Sequence, residues 1–472
     1  MPGPLAVNTA KRADFRQKYP KIVPKTHLAM LEKAMRALGL RLLMAAFPLL
    51  LAGCTPPANP APPTAAVSIP MAEPAPPPLP ELRGDPGFQD FVRGFREQAL
   101  AQGITPQTWF AAFNGVEPVG GMSDIIAEQP EFVRPIWRYL DGAVSARRIK
   151  DAKIMLTRHA DLLAGIEEKQ GVPREILVAI WGMETDFGTS IGSYNIFATL
   201  ATRAWIGGDQ RQAGAERELI AALLLLQQQN FKPSEMVASW AGAFGQTQFM
   251  PTTFSRFGVD GDGDGKIDLW HSPADALASA ANLLARQGWQ KGMPWAVEVT
   301  LPKGFAYQDA DLTIEKPLSE WRARGVRPVF AALPPDGDTK AALYVPAGAH
   351  GAAFLTFANF RVIMRYNNAA SYALSVGVLA DRMMDRPGIK GSWPLKDPLL
   401  SRAQRQRLQA ALTGLGFDSG EHDGLLGTRT RAALRLYQGA RGLVADGYPS
   451  LALLERLDRE AEKPANPALK AP

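Results

Sequence analysis

A regular spacing of hydrophobic residues predicts an α-helix near the middle of the chain. Ile176 and Ile180 recur at helical intervals, Pro173 suits the first turn of a helix, and Gly188 suits its C-terminal cap. Glu184 continues the same spacing and therefore lies on the apolar stripe of this helix. The pattern predicts a helix that faces a core and carries one carboxylic acid on its buried side.

A second periodic region occupies residues 397–458. Apolar residues at helical spacing alternate there with turns, and the Asp-Gly pairs at positions 423 and 446 are alike. Residues 387–391, which contain proline and glycine, separate this region from the preceding part of the chain. We therefore expect a small three-helix domain over residues 395–460.

The composition is that of a globular protein with a basic leader. The chain has 472 residues, of which 46% are hydrophobic and 21% are charged, so it can form two or three domains. Its net charge is +6, but residues 1–53 alone carry +7 and the remaining residues carry −1. The body therefore offers no sign of a concentrated basic face for a nucleic acid. The single cysteine, Cys54, excludes disulfides within the chain and paired-cysteine metal sites.

The leader has the features of a bacterial secretion signal. The apolar run of residues 42–52 follows a basic segment and is too short to span a bilayer. It ends in Leu-Ala-Gly before Cys54, which resembles a lipobox and implies cleavage before Cys54 and lipid attachment to its sulfur. A plain secretion signal is the alternative. By the same resemblance, Thr55 after the cysteine indicates the periplasmic face of the outer membrane.

Residues 55–84 connect the leader, residues 1–54, to the first domain. Proline and alanine dominate residues 55–80, and each proline fixes φ and removes a backbone donor. This composition favours an extended, semi-rigid tether rather than a packed core. Such a tether would let a membrane-anchored protein reach a polymer some distance away.

Glu184 is the candidate catalytic residue. Burial disfavours the charged form of a carboxylic acid, so a buried glutamate can stay protonated and give its proton to a glycosidic oxygen. A salt bridge inside the core is the structural alternative. Asp186 lies two positions away and cannot face Glu184 on a helix, whereas ordinary glycosidases pair two acids about 5–9.5 Å apart. One carboxylate must then act as acid and base, which suits a substrate that supplies its own nucleophile.

Two motifs connect the chain with a known family. Residues 183–188 (METDFG) and 239–251 (SWAGAFGQTQFMP) resemble the membrane-bound lytic murein transglycosylase B family. The resemblance extends from about residue 88 to about residue 384 and includes 129–132 (QPEF) and Tyr366-Asn367. It implies a mainly α (α+β), lysozyme-like catalytic domain, which we place at residues 85–390.

The resemblance also implies a lyase reaction on peptidoglycan, without an organic cofactor. Glu184 would protonate the oxygen of the β-1,4 bond between N-acetylmuramic acid and N-acetylglucosamine. It would then deprotonate the muramoyl 6-hydroxyl, which closes a 1,6-anhydro ring. The alternatives are hydrolysis of the same bond and a non-catalytic wall-binding scaffold. The substrate-binding residues implied by the family are Ser239, Gln248, Tyr366, Asn367 and Tyr372.

Some of these positions have structural alternatives. The resemblance implies that Tyr366 lies near the catalytic carboxylate. The structural alternative for both tyrosines is packing in the core, and for Asn367 it is a cap of the following helix. The small residues Gly242 and Gly245 would let a sugar approach the backbone closely. The tryptophans at positions 181 and 240 are expected in the core.

An acidic loop over residues 260–268 (DGDGDGKID) has the spacing of an EF-hand Ca²⁺ loop. Position 12 of such a loop is a glutamate, whereas His271 stands here; in the family a later aspartate supplies that ligand, and Asp275 is the match. Asp268 is a candidate outer ligand, and a solvated acidic turn is the alternative reading. The expected ligands of a structural Ca²⁺ are Asp260, Asp262, Asp264, Asp275 and the backbone carbonyl of Lys266.

The C-terminal region resembles the peptidoglycan-binding module found on many wall hydrolases. The match covers most of residues 395–460 and implies a second contact that raises the local concentration of substrate. A spacer is the alternative. The expected partners are peptidoglycan glycan strands, a membrane through the lipid anchor and other cell-wall enzymes, with no nucleic acid.

Overall fold

The computed structural model describes residues 77–122, 135–229 and 231–461, all within one compact unit, Pro74–Pro472. It consists of a helical body, a five-stranded sheet and a helical C-terminal module. The prediction of a mainly α fold with some β structure is confirmed. Among the described residues, no helix is long and apolar enough to cross a membrane. The leader, Cys54 and the motif at 129–132 lie outside the described residues.

The helical body contains a short two-stranded ribbon, in which β1 (Tyr194–Asn195) pairs antiparallel with β2 (Val237–Ala238). Its helices are α1 (Pro86–Ala101), α2 (Pro106–Phe113), α3 (Ile136–Ala143), α4 (Ala146–Arg158), α5 (Ala160–Gln170), α6 (Arg174–Thr185), α7 (Ile196–Ile206), α8 (Asp209–Gln229), α9 (Pro251–Phe257), α10 (Pro273–Arg286), α12 (Ala358–Tyr366) and α13 (Ala370–Met383).

Side-chain caps fix where several of these helices begin. The Asp85 carboxylate accepts hydrogen bonds from the first backbone amides of α1, and Ser145 and Asn195 do the same for α4 and α7. Thr105 and Ser272 cap α2 and α10, each of which has proline in its first turn. Such a cap satisfies an otherwise unpaired amide, and its loss costs about 0.5–2 kcal/mol.

Helix α6 lies at the centre of the body and packs against α4, α5, α10 and α13. Nine of its twelve residues are buried, so the helix is enclosed on nearly all sides rather than along one stripe. Each fully buried aliphatic side chain, such as Leu177, contributes about 1.5–3 kcal/mol. The buried Glu175 carboxylate is compensated by Arg386, whose guanidinium lies 2.8 Å from it.

The sheet is inserted between α10 and α12 and has its own core around the buried Trp321 and Phe357. The elements of this segment are β3 (Ala296–Thr300), β4 (Glu315–Pro317), α11 (Leu318–Ala323), β5 (Arg327–Pro328), β6 (Lys340–Tyr344) and β7 (Ala353–Thr356), with 3₁₀ turns at Tyr307–Asp309 and Gly348–His350. The strand order is β4-β6-β7-β3-β5, and every neighbouring pair is antiparallel. Leu355 in the middle strand pairs with Val297 on one side and Leu343 on the other.

The C-terminal module has the three predicted helices, α14 (Arg402–Gly414), α15 (Thr428–Ala440) and α16 (Leu451–Ala461), around a separate apolar core. The two Asp-Gly turns are alike because each is held by a buried glutamine. Gln409 accepts from the Gly424 amide at 2.8 Å, and Gln438 accepts from the Gly447 amide at 2.7 Å. These bonds fix the loops that enter the second and third helices.

Candidate active site

Helix α6 ends in a left-handed turn that positions Glu184 in its last turn. Asp186 and Phe187 have φ values of 50° and 62°, so the helix ends at Thr185 rather than at the expected glycine cap, Gly188. The turn folds the Phe187 ring back onto Gly182, where a Cβ would lie 2.7 Å from the ring. Burial of Phe187 offsets the backbone strain of the turn, which is about 1–3 kcal/mol per residue.

Glu184 accepts a short hydrogen bond from a buried tyrosine. The Tyr372 hydroxyl donates to Glu184 Oε1 at 2.5 Å, and the Tyr372 side chain is 2% exposed, whereas Glu184 is half-buried. Burial, and then the charge of Glu184, hold the pKa of Tyr372 well above its ordinary value. The phenol therefore keeps its proton and remains a hydrogen-bond donor to the carboxylate.

A second tyrosine, Tyr366, lies in the same electrostatic environment at the end of α12. Its hydroxyl donates to the Thr247 carbonyl at 2.6 Å, and its ring contacts Phe249 edge-on. Burial, and then the charge of Glu184, raise the pKa of Tyr366 well above its ordinary value. Both predicted tyrosines therefore flank Glu184, but the direct hydrogen bond comes from Tyr372 rather than from Tyr366.

Asp186 forms ion pairs with two arginines. Arg147 lies 2.9 Å from its carboxylate and Arg148 lies 3.4 Å from it. The hydrogen bond from Arg147 is the largest cause that holds the pKa of Asp186 below its ordinary value. Asp186 therefore remains charged and paired, which agrees with the expectation that it does not act as a second catalytic acid.

The loop after β2 faces this site and is shaped by its glycines. Gly242 and Gly245 have φ values of +86° and +71°, a region that side-chain-bearing residues rarely adopt. A Cβ would lie 2.4 Å from the Leu200 side chain at Gly242 and 2.6 Å from Leu269 at Gly245. Glycine at these two positions therefore avoids a clash with the protein core, and close approach of a sugar to their backbone stays a prediction.

The other predicted cleft residues occupy positions on the same loop and at the end of α12. Ser239 is half-buried, and its amide donates to the Ala243 carbonyl at 2.7 Å. Gln248, with φ 49°, donates its side-chain amide to the carbonyls of Ile191 at 3.2 Å and Gly245 at 3.0 Å. The structure places Ser239 and Gln248 on one loop. Gln248 follows Thr247, whose carbonyl accepts the hydrogen bond from Tyr366.

Asn367 follows Tyr366 and forms the C-terminal cap of α12. The next helix, α13, is capped by Ala369 without a side-chain hydrogen bond, so the alternative that Asn367 caps it is wrong. Trp181 lies in the core as expected, with 2% exposure. Trp240 differs, because it is half-buried under the Arg203 guanidinium, 5.4 Å from the ring centroid.

Thr185 and Gln246 position the catalytic turn, although periodicity does not indicate them. The Thr185 hydroxyl donates to the Gln246 carbonyl at 2.6 Å and accepts from the Gly188 amide at 2.9 Å. The Gln246 side chain accepts from the Trp181 indole at 3.1 Å. Thr185 lies in the first sequence motif and Gln246 in the second, so the motifs are the sequence signal that could have identified them.

The acidic loop lies between α9 and α10. One carboxylate oxygen from each of Asp260, Asp262 and Asp264 falls within 4.8 Å of the others. The two Asp260 oxygens accept from the Gly263 and Gly265 amides at 2.6 and 2.9 Å, which curls the loop. Clustered carboxylates are the hard oxygen donors that Ca²⁺ prefers, so these residues fit the predicted ion.

Asp275 supports this loop from the inside. Its side chain is 1% exposed, and its oxygens accept from the Gly261 amide at 2.7 Å and the Asp268 amide at 2.6 Å. Burial raises the pKa of Asp275 above its ordinary value. Asp268 is bonded to His271, and the cluster of three carboxylates contains neither Asp268 nor Asp275.

Comparison with known proteins places this geometry in a family. Residues 87–381 match the transglycosylase SLT domain, and residues 401–457 match a putative peptidoglycan-binding domain. The membrane-bound lytic murein transglycosylase B of Escherichia coli (strain K12) is 31% identical over 246 residues, which are 51% of this chain and 64% of that protein. The chain thus spans slightly less than two thirds of the length of this curated relative.

Solved structures share the fold. SltB3 from Pseudomonas aeruginosa, solved in complex with NAG-anhNAM-pentapeptide, is 47% identical with a TM-score of 0.75, covering 79% of this chain and 100% of that chain. SltB3 has also been solved with NAG-NAM-pentapeptide. The Escherichia coli lytic transglycosylase Slt35 in complex with calcium is 27% identical with a TM-score of 0.54, covering 65% of this chain and 95% of that chain.

Proposed function

The chain belongs to the transglycosylase SLT-domain family, and from this we propose that it is a lytic transglycosylase of peptidoglycan. The bond cleaved is the β-1,4 bond between N-acetylmuramic acid and N-acetylglucosamine. The observation that carries the proposal is the hydrogen bond from buried Tyr372 to Glu184, in a site whose neighbouring acid, Asp186, is held by arginines. The role of the reaction is turnover or remodelling of the cell wall.

The mechanism uses Glu184 twice. Its carboxylic acid protonates the glycosidic oxygen while the bond from that oxygen to C1 of the muramoyl residue breaks. The muramoyl 6-hydroxyl then forms a bond to C1 and returns its proton to the Glu184 carboxylate, so that no water is consumed. Tyr372 donates to the carboxylate formed between these steps and stabilises its charge.

The remaining cleft residues have polar groups suited to a sugar chain. Ser239, Gln248 and Asn367 are each half-buried, so their hydroxyl and amide groups adjoin both protein and solvent. A few placed polar groups are what a sugar site needs for orientation. We assign these three, with Tyr366, to substrate binding and Tyr372 to positioning of Glu184.

The acidic loop binds a structural Ca²⁺ in this proposal. Asp260, Asp262 and Asp264 supply carboxylate oxygens, and the Lys266 carbonyl supplies a further ligand. The calcium complex of Slt35 is in keeping with this assignment. Asp275 remains a predicted ligand, and its two amide bonds give it a second role in holding the loop.

The chain acts at the cell wall from a membrane anchor. Lipid on Cys54, a tether over residues 55–84 and a catalytic domain over 85–390 would place the enzyme at the periplasmic face of the outer membrane. The membrane-bound Escherichia coli relative supports membrane association in general. The C-terminal domain, residues 395–460, provides a second contact with the wall.

The test is mass spectrometry of the fragments that the full chain releases from purified peptidoglycan, with Glu184→Gln as the matched inactive variant. We expect anhydro-muropeptides from the wild type and none from the variant. Reducing ends from the wild type would instead make the enzyme a muramidase that uses water. No fragments from either protein would contradict the proposal and favour a binding scaffold.

A further inference from the structure

A cavity of about 360 Å³ lies where the C-terminal module meets the helical body. One wall is formed by residues 368–371, which comprise the end of the turn after α12 and the start of α13. The facing wall comes from the module and includes Gly427, Thr428, Arg431 and Tyr448. We call this cavity the interdomain pocket. It has both polar and apolar walls, as expected of a site for a peptide rather than for a lipid.

Buried contacts hold the two walls in place. Arg435 of the module forms an ion pair with Asp311 of the sheet segment, and both side chains are less than 10% exposed. Asp446 of the module accepts a hydrogen bond from the Ala349 amide at 2.9 Å. At Gly348 a Cβ would lie 2.5 Å from the Asp446 carboxylate. These contacts dock the module on the body and thereby fix the two walls of the interdomain pocket relative to each other.

Arg431 supplies a positive charge to this pocket. None of the described residues forms a hydrogen bond or ion pair with its side chain, in contrast to Arg435 on the same helix. Two phenols in the pocket wall, Tyr344 and Tyr448, lie close enough to feel its charge, which partly offsets the effect of burial on their pKa values. A half-buried guanidinium that pairs with none of the described side chains is suited to a carboxylate ligand.

The interdomain pocket adjoins the catalytic residues. Ser371 lines the pocket, and the next residue, Tyr372, donates to Glu184. Asn368 also lines the pocket and follows Asn367, which we assign to sugar binding. The interdomain pocket and the catalytic residues therefore share the start of α13.

We propose that the interdomain pocket binds the stem peptide of the glycan strand being cut and that Arg431 pairs with a carboxylate of that peptide. This inference rests on the proposed function, because the stem peptide leaves the muramoyl residue whose C1 reacts. An extended peptide of five residues spans about 17 Å, which is about the length of eleven residues of α-helix. The module then contributes directly to recognition of the substrate.

The test compares two substrates, glycan strands with stem peptides and strands from which an amidase has removed them. For Arg431→Gln in the full chain we expect KM to rise about tenfold on peptide-bearing strands, with kcat unchanged, and neither constant to change on peptide-free strands. Arg431→Lys keeps the charge and should recover part of the loss. Arg429→Gln, an exposed arginine on the same helix, is the matched control and should behave as wild type.

A second readout is independent of catalysis. Calorimetric titration of the free stem pentapeptide into the full chain should show that the peptide binds the wild type at least tenfold more tightly than Arg431→Gln. The two proteins should have equal melting temperatures. The inference would be overturned if wild type and Arg431→Gln had equal KM values on both substrates. Equal peptide binding by the two proteins would overturn it as well. Absence of cleavage of either substrate by the wild type would refute the proposed function, while the titration would still test the pocket.

Discussion

Replacing Tyr372 by phenylalanine removes one hydroxyl from the site and leaves the ring to fill the same space. That hydroxyl donates to Glu184 at 2.5 Å from a side chain that is 2% exposed, so water cannot easily take its place. Glu184 is neutral before it gives up its proton and charged afterwards. Because a hydrogen bond is stronger when its acceptor is charged, the hydroxyl stabilises the transition state more than the ground state.

The magnitude follows from this difference. A hydrogen bond to a charged group contributes about 1.5–3 kcal/mol and one to a neutral group about 0.5–1.5 kcal/mol, which leaves about 1–2 kcal/mol for Tyr372. We therefore expect Tyr372→Phe to lower kcat about 5- to 30-fold with little change in KM, since the hydroxyl bonds Glu184 rather than the sugar.

The assay is initial-rate release of soluble fragments from peptidoglycan over a range of substrate concentrations. Tyr437→Phe is the matched control, because it removes a similar phenol–carboxylate bond, to Glu460 at 2.9 Å, inside the C-terminal module. It should leave kcat unchanged. A kcat for Tyr372→Phe within twofold of wild type, at equal thermal stability, would refute the reasoning.

Three further predictions concern stability. Arg147 holds the pKa of Asp186 low, so their pair stabilises the fold at neutral pH and is lost as the pH falls through that lowered pKa. In urea unfolding, Asp186→Asn should be less stable than wild type by about 1 kcal/mol at neutral pH and equally stable in strong acid. A stability difference that persists in strong acid would contradict the pairing. Ca²⁺ at about 100 times its Kd should stabilise the wild type by about 2.7 kcal/mol in thermal melts but not Asp260→Asn, and an equal response in both would exclude this loop. Asp311→Asn should cost about 3–5 kcal/mol in urea unfolding because Arg435 is left buried without its partner, and a loss below about 1 kcal/mol would mean that the pair is not buried in solution.

The helix of Glu184 could be predicted from local sequence because its signals are local. The spacing of Ile176 and Ile180 and the position of Pro173 depend only on neighbours along the chain, and the helix begins where they indicate. The end of the helix could not be predicted in this way. It depends on Phe187 packing back onto Gly182, which outweighs the ordinary preference of glycine for the cap position.

The contacts that make the site are non-local. Tyr372 lies 188 positions from Glu184, and no periodicity in the sequence indicates that the two side chains meet. Resemblance to the family implies a site role for Tyr372, but as a contact with sugar rather than with the carboxylate. The docking of the module through Arg435 and Asp311 likewise joins residues 124 positions apart and has no local signal.

The sheet was the least predictable part of the fold. Its strands span two to five residues, which is too short for a clear alternation of apolar and polar positions. In the central strand β7, Ala353–Thr356, all four residues are buried, so both faces are covered and the alternation disappears. The surrounding sequence therefore indicates β structure only through resemblance to the family.

The most direct test of the central claim, that Glu184 closes an anhydro ring without water, is digestion of peptidoglycan in water enriched in heavy oxygen. Mass spectrometry of the new glycan ends then shows whether solvent oxygen enters the product. We expect anhydro ends without heavy oxygen from the wild type and no new ends from Glu184→Gln. Heavy oxygen at the new ends would show that water attacks C1 and would contradict the mechanism.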